Sequence, residues 1–231
     1  MSAKYNPLAG LTQVQPAHPL LTLASASGPI ATMIVLGFAL IVLAYLSGSL
    51  SSAVIVCRVM GLPDPRTQGS GNPGATNVLR LGGKRAAAVT LAADILKGCI
   101  PVLLARSLTD APLIPAGAAL AAFLGHLYPV FFHFQGGKGV ATAFGSVLGL
   151  ASVVALAMVV TWLSVALLFR YSSLSALITA LLAPLYAFLL TQETLYVSVI
   201  GLISILTIWR HRGNLRRLVA GTEQKIGVRS G

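Results

Sequence analysis

A lysine framed by glycines occurs in the stretch QGGKGVAT, residues 135–142. Glycines let an anionic ligand approach the backbone closely, and a helix beginning at about Val140 would present unpaired N–H groups to it. Lys138 adds a full positive charge. The stretch is not a Walker A loop, because that motif needs glycine and Ser or Thr where this chain has Phe132 and Gly139. The pattern predicts a phosphate-binding turn; a basic turn without a ligand is the alternative.

Another glycine-rich turn, GSGNPG at 69–74 and so the first of the two along the chain, matches the spacing G-x-G-x-x-G. The dinucleotide fingerprint needs a buried strand before it, and the preceding LPDPRTQ cannot form one. What remains is a polar turn with free backbone N–H groups, the Ser70 hydroxyl and the amides of Asn72 and Asn77. Such turns form anion-binding nests. The second interpretation is an ordinary structural loop.

Four ionisable side chains stand out near or inside apolar runs. Asp94 and Lys97 are spaced i, i+3 and are expected to pair, because charges in a membrane helix are costly. They either fix the orientation of the helix or contact substrate, and the residues leave both open. His126 and His211 are candidates for a proton carrier or an orienting donor, or for a structural role.

No arrangement for covalent catalysis is visible. The sequence has no G-x-S-x-G elbow, and no histidine is followed by aspartate five residues later. The two cysteines, Cys57 and Cys99, lie in apolar runs and have no metal-ligand spacing, so neither a disulfide, a metal nor a cofactor is expected. The chemistry is expected to depend on binding and electrostatics.

The elements that must position these residues are membrane helices. The chain has 231 residues, of which 56% are hydrophobic and 9% charged, a composition typical of an all-α polytopic membrane protein. Its net charge of +11 is better explained by basic cytoplasmic loops than by nucleic-acid binding, since no soluble domain is evident.

Charge also decides the number of helices. Apolar segments are expected at about 30–57, 87–108, 112–132, 140–169, 174–191 and 195–209. If 140–169 is two helices that turn near 149–152, one side of the membrane holds 13 of the 16 basic residues. We therefore predict seven transmembrane helices with a short fourth, the N-terminus in the periplasm and the C-terminus in the cytoplasm.

This topology divides the chain into three parts. Residues 1–28 are expected to be a flexible leader, 29–209 the membrane domain and 210–231 a basic cytoplasmic tail. The active-site loops are predicted at 58–86 and 133–139. The first segment is interrupted by SGSLSS at 47–52, whose small residues favour close packing or a polar cavity.

Four stretches in this order resemble one bacterial family, the acyl-phosphate:glycerol-3-phosphate acyltransferases (PlsY). They are GSLSSAVIVCR (48–58), GSGNPGATNVLRLGGK (69–84), GHLYPVFFHFQGGKGVAT (125–142) and RHRGNLRRLVAGTEQK (210–225). The resemblance covers about residues 30–227. It implies a seven-helix enzyme of the bacterial inner membrane that begins phospholipid biosynthesis. It also implies acyl transfer from acyl phosphate to the 1-hydroxyl of glycerol 3-phosphate, giving lysophosphatidic acid and phosphate without a covalent acyl-enzyme.

The resemblance also implies partners and site residues. The partners are the two substrates, membrane lipids and the enzyme that makes acyl phosphate. Substrate phosphate is expected to take the hydroxyl proton. The implied catalytic residues are Ser49, Arg58, His126, Lys138, His211 and Asn214. The implied substrate-binding residues are Ser70, Gly71, Asn72, Thr76, Asn77, Arg80, Gly136, Gly137, Gly139 and Thr142. The family often has Ile-Pro after the serine of the first motif, where this chain has Leu50 and Ser51, which leaves the helix break uncertain.

Two other classes of function fit parts of the pattern. An organophosphate transporter would also use basic loops and broken helices, but it predicts repeat symmetry and polar residues near the midplane of several helices. A structural protein that only binds anionic lipid predicts dispersed basic residues rather than glycine-framed ones. The sequence favours the acyltransferase.

Overall fold

The computed structural model describes residues 19–227, and every regular element in that range is helical. The helices are α1 (Pro19–Gly48), α2 (Ser52–Val59), α3 (Ala75–Leu108), α4 (Leu113–Leu127), α5 (Val140–Leu150), α6 (Ser152–Phe169), α7 (Ser172–Leu190), α8 (Thr194–Arg210) and α9 (Arg212–Val219), with a short 3-10 turn at Val130–Phe132. The chain divides between Leu36 and Gly37 into two units, the first of which contributes the beginning of α1. The packing below concerns the second unit.

The helices have the lengths and composition of membrane spans. Five helices within the described range are long and apolar enough to cross a membrane, or six if the bent pair α8 and α9 counts as one span. The outward faces carry large exposed apolar side chains such as Leu167, Leu168 and Phe188, while Ser, Thr, Asn and charged side chains are buried inside. This distribution suits a lipid solvent.

Two predicted helix breaks are confirmed. The run 140–169 divides at Ala151 into the short α5, of 11 residues, and α6. The first apolar segment is broken between Gly48 and Ser52, where SGSLSS was expected to interrupt it. Small residues lie at both breaks, Ser49 and Ser51 in the first and Ala151 in the second, and the side chain of Leu50 in the first break is exposed.

The structure places helices in three segments that were predicted as loop, leader or tail. The loop expected over 58–86 ends at Gly74, because α3 already begins at Ala75 and only Gly83, with φ of 76°, interrupts it. Residues 19–28, expected in a flexible leader, form the start of α1, while 1–18 lie outside the described residues. The tail expected from 210 onward contains the helix α9, and 228–231 are not described.

The short helix α5 packs closely against α3. A Cβ built on Gly145 would collide with the backbone carbonyl of Ile95, so this contact requires glycine. At the C-terminal end of α5, Nη1 of Arg106 donates to the carbonyl oxygens of Gly149 (2.9 Å) and Leu150 (3.2 Å). Those carbonyls have no partner inside the helix, so the cation satisfies them and fixes the depth of α5.

Candidate active site

The two glycine-rich turns predicted from the sequence meet at one place. The N–H of Gly137 donates to the carbonyl of His126 at 3.2 Å. A Cβ built on Gly137 would collide with Nε2 of the His126 ring and lie 3.0 Å from the carbonyl oxygen of Pro73 in the 69–74 turn. Gly137 therefore sits between the ring and the other turn, at a position with no room for a side chain.

Arg210, at the end of α8, fixes the backbone of the second glycine-rich turn. Its Nη2 donates to the carbonyls of Gly136 and Gly137, both at 2.9 Å, and its Nε donates to Gly137 at 3.2 Å. The turn leads through Gly139 into α5, whose first N–H groups have no partners within the helix. The segment thus combines a fixed backbone with donors suited to an anion.

A chain of polar contacts links the glycine turn to the C-terminal tail. Nζ of Lys138 donates to Oδ1 of Asn214 at 2.5 Å, and Nδ2 of Asn214 donates to Oε1 of Glu223 at 2.7 Å. Glu223 also accepts from the Ser173 hydroxyl at 2.6 Å and from Nε of Arg217 at 2.7 Å. Three separate parts of the sequence therefore meet around one carboxylate.

These surroundings shift two pKa values. Burial lowers the pKa of Lys138 to about 8, against the pull of Glu223 and with help from Arg217, Arg210 and Arg80. Burial acts to raise the pKa of Glu223, but hydrogen bonds from Ser173, Asn214 and Arg217 hold it below its ordinary value. At neutral pH Glu223 is therefore ionised and Lys138 is mostly protonated, in a cluster rich in cations.

The first glycine-rich turn is shaped by Asn77. Its Nδ2 donates to the carbonyls of Pro65 (2.8 Å) and Gln68 (3.0 Å), and its Oδ1 accepts from the N–H of Ser70 (2.9 Å). Both amide hydrogens are thus used within the loop, so the geometry gives Asn77 the role of holding the turn rather than of donating to substrate.

The other predicted residues of this region lie in the turn itself or in the first turns of α3. Ser70 and Gly71 are exposed, and Asn72 is partly exposed beside Gly74. The Thr76 hydroxyl lies 3.1 Å from that of Ser172 at the start of α7. Arg80, one turn into α3, is close enough to Lys138 to lower the pKa of that lysine.

Three further predicted residues, Ser49, Arg58 and His211, make no direct hydrogen bond to Lys138 within the described residues. Ser49 is fully buried after α1, and its hydroxyl donates to the carbonyl of Tyr45 at 2.9 Å. Arg58 lies on α2 with an exposed side chain, and no hydrogen bond within the described residues joins it to Lys138. His211 is buried where α8 and α9 meet at 56°, with Nδ1 2.8 Å from the carbonyl of Thr207.

Beneath the glycine turn lies a buried polar network. Nζ of Lys97 is 2.8 Å from Oδ1 of Asp94, which confirms the predicted pair. The same carboxylate oxygen is 3.5 Å from Nδ1 of His126, and that nitrogen is 3.1 Å from the Thr142 hydroxyl. His126, a predicted site residue, thus touches the ion pair that the sequence left unassigned, and Thr142, another predicted site residue, touches His126.

The sequence missed Arg210, Ser173 and Glu223. A signal existed for Glu223, since it is one of only five acidic residues and stands in a strongly basic tail. Ser173 and Arg210 gave no comparable signal, because their roles depend on which helices pack together. Among residues 19–227, no group of three or more His, Cys, Asp and Glu side chains could hold a metal ion.

Fold and site together define a multi-pass helical membrane protein with a cationic centre made of two glycine-rich turns and a basic tail. The profile of the family described as "Glycerol-3-phosphate acyltransferase" matches residues 38–221. The protein of that name from Thioalkalivibrio sulfidiphilus is 58% identical over 192 residues, which are 83% of this chain and 95% of the relative.

Two solved structures agree with that match. The crystal structure of PlsY (YgiH), described as an integral membrane glycerol 3-phosphate acyltransferase, in its glycerol 3-phosphate form has a TM-score of 0.79. It is 40% identical and covers 83% of this chain and 96% of its own. The lysophosphatidic acid form of PlsY has a TM-score of 0.77 at 39% identity, covering 83% of this chain and 95% of its own. The chain belongs to the glycerol-3-phosphate acyltransferase family, of the PlsY type.

Proposed function

We propose that this chain transfers the acyl group of an acyl phosphate to the 1-hydroxyl of sn-glycerol 3-phosphate. The products are 1-acyl-glycerol 3-phosphate and inorganic phosphate, and the reaction is the first acylation of phospholipid synthesis. The observation that carries the proposal is the meeting of the two glycine-rich turns at Gly137, beside the Lys138–Asn214 contact. The PlsY forms named for glycerol 3-phosphate and lysophosphatidic acid support the acceptor and the product.

The reaction needs no co-reactant. The 1-hydroxyl oxygen forms a bond to the acyl carbonyl carbon, and the bond from that carbon to the bridging phosphate oxygen breaks. The phosphate leaves with the electron pair and takes the hydroxyl proton, so it acts as the base. An acyl phosphate is a reactive mixed anhydride, so the protein's main task is to bring the hydroxyl and the carbonyl together.

Both substrates are anions that repel each other, and the site is suited to oppose that repulsion. Lys138 and Arg80 supply positive charge, and the turn leading into α5 supplies backbone donors. Such fixed charges and donors are the largest contributions to many enzymatic rates, because they need no reorganisation when charge develops.

Further contacts with substrate are part of the proposal. Ser70 and Asn72 would donate to a phosphate from the first turn, and His211 and Asn214 would close the glycerol-phosphate site. Ser49 and Arg58 would contact the phosphates and the glycerol backbone.

The proposed location is the bacterial inner membrane. Seven crossings follow if α5 counts as the short fourth, with the N-terminus in the periplasm and both glycine-rich turns in the cytoplasm. In a variant without Cys57 and Cys99, an impermeant thiol reagent added to spheroplasts should label Asp110→Cys between α3 and α4. It should not label Arg216→Cys in the tail until the membrane is permeabilised, and the reverse pattern contradicts this topology.

The activity is tested on the purified protein in detergent or lipid vesicles. Acyl phosphate and acyl-CoA are each supplied with and without glycerol 3-phosphate, and the acylated product and free phosphate are measured. We expect lysophosphatidic acid and an equal amount of phosphate only from acyl phosphate with glycerol 3-phosphate. Product from acyl-CoA overturns the proposed donor, and no product from either donor overturns the proposed function.

A further inference from the structure

Three ionisable side chains are enclosed within the helices next to the candidate site. Asp94, Lys97 and His126 are 2%, 7% and 7% exposed, respectively. Removing charges from solvent costs several kcal/mol for each ion, and replacing a buried ion pair by apolar side chains is often neutral or stabilising. Stability alone is therefore a weak reason for a protein to contain this group.

One end of the group reaches the break between α1 and α2. Nζ of Lys97 donates to the carbonyl of Leu50 at 2.7 Å, immediately after the proposed site residue Ser49. The Ser47 hydroxyl donates to the carbonyl of Lys97 at 3.1 Å. Side-chain and backbone atoms of Lys97 thus both tie α3 to this break, whose backbone leaves its carbonyls without helical partners.

The other end reaches the second glycine-rich turn. Nδ1 of His126 faces the Asp94 carboxylate and the Thr142 hydroxyl, while Nε2 abuts Gly137. The backbone carbonyl of His126 also accepts the Gly137 N–H. A carboxylate at Nδ1 favours the tautomer with its proton there, and it fixes the orientation of the ring beneath the turn.

We propose that Asp94, with Lys97, is a positioning residue for acyl transfer and sets the placement of the Ser49 break relative to the Gly137 turn. Asp94 links the two ends of this group, because one of its carboxylate oxygens contacts both the Lys97 ammonium and the His126 imidazole. It acts through His126 and Gly137 rather than by touching substrate. The inference rests on the proposed acyl transfer, because its consequence is the alignment of two substrates held by different parts of the chain.

The test must distinguish a loss of substrate alignment from a loss of stability caused by an unpaired buried charge. Asp94→Asn alone leaves the Lys97 charge without its partner and is expected to unfold easily. Two double variants avoid this: Asp94→Asn with Lys97→Met keeps an oxygen that can face His126, and Asp94→Leu with Lys97→Met does not. Thr90→Val is the matched control, because Thr90 is buried one turn earlier on α3 and its hydroxyl donates only to its own helix, at Ala86.

Thermal unfolding, kcat and the two KM values are measured for each protein in the same detergent. We expect both double variants and Thr90→Val to unfold near the wild-type temperature. The kcat of the leucine double variant should fall by on the order of 100-fold, the cost of a small misplacement of reacting groups. The asparagine double variant should retain more kcat, and KM for glycerol 3-phosphate should change little in either.

Two results overturn the inference by itself. One is a kcat equal to the wild-type value in the leucine double variant. The other is that both double variants lose the same amount of kcat and that this loss parallels a loss of thermal stability. A wild-type chain that forms no lysophosphatidic acid overturns the proposed function, and the inference falls with it. The two failures are therefore distinguished by the wild-type measurement.

Discussion

Lys138 and Asn214 lie 76 positions apart in the sequence, yet the ammonium of one donates to the side-chain oxygen of the other at 2.5 Å. The contact joins the glycine turn before α5 to the helix α9 of the tail. Because Asn214 in turn donates to Glu223, the positive charge of Lys138 is placed by neutral and ionic partners from the tail rather than by its own turn alone.

Lys138→Ala should nearly abolish acyl transfer and leave the fold intact. The loss should be on the order of 100-fold or more, because a fixed charge beside developing negative charge has that weight in other enzymes. Lysophosphatidic acid formation and thermal unfolding are measured together, with the exposed Lys84→Ala as the control. Near-normal turnover in Lys138→Ala would remove the lysine from the proposed mechanism.

The rate should decline with rising pH through the pKa of Lys138. Burial lowers that pKa to about 8, so the ammonium that we propose binds phosphate is lost above this pH rather than above 10.5. We expect kcat/KM for glycerol 3-phosphate to fall as pH increases past about 8. In Lys138→Arg the remaining activity should not decline there, since a guanidinium stays charged. A decline at the same pH in both proteins would assign it to another group.

Gly137→Ala should inactivate the protein. The added methyl group would collide with Nε2 of His126 and crowd the carbonyl of Pro73, so the two turns would have to separate. Gly201→Ala on α8 is the matched control, because a Cβ there meets no atom within 4 Å. Kinetics and unfolding are compared for the pair; an active Gly137→Ala would show that the close approach is not needed.

Glu223 should make acid stability depend on pH. Its pKa is held below the ordinary 4.5, so its stabilising contacts are fully present above that value and are lost as pH falls through the folded-state pKa. In Glu223→Gln the unfolding temperature should be lower at neutral pH and should decline less steeply below about pH 4.5. The exposed Glu193→Gln should behave as wild type. Parallel acid profiles for wild type and Glu223→Gln would contradict the prediction.

Local sequence patterns predicted the parts of this molecule that depend on local causes. The break at Ala151 followed from the length of one apolar run and the distribution of basic residues, and the pairing of Asp94 with Lys97 followed from helical spacing. The start of α3 was placed too late because its first turns are polar and contain Gly82 and Gly83, a composition typical of a loop.

The rest of the site depends on contacts between distant segments. That Arg210 would hold the carbonyls of Gly136 and Gly137 could not be inferred from spacing, because it requires α8 to end beside that turn. The partners of Asn77 within the loop could not be inferred for a similar reason. Its amide looked available for a ligand until its three partners in the loop were known.

Those partners of Asn77 have an energetic consequence. Ordering a flexible loop around a ligand reduces affinity, since conformational entropy is lost at the moment of binding. Here the turn that contains Ser70 is already fixed by three hydrogen bonds to one buried amide. The entropy is lost during folding instead, so the phosphate that we propose binds here would meet a preorganised surface, and more of its interaction energy would remain for aligning the reactants.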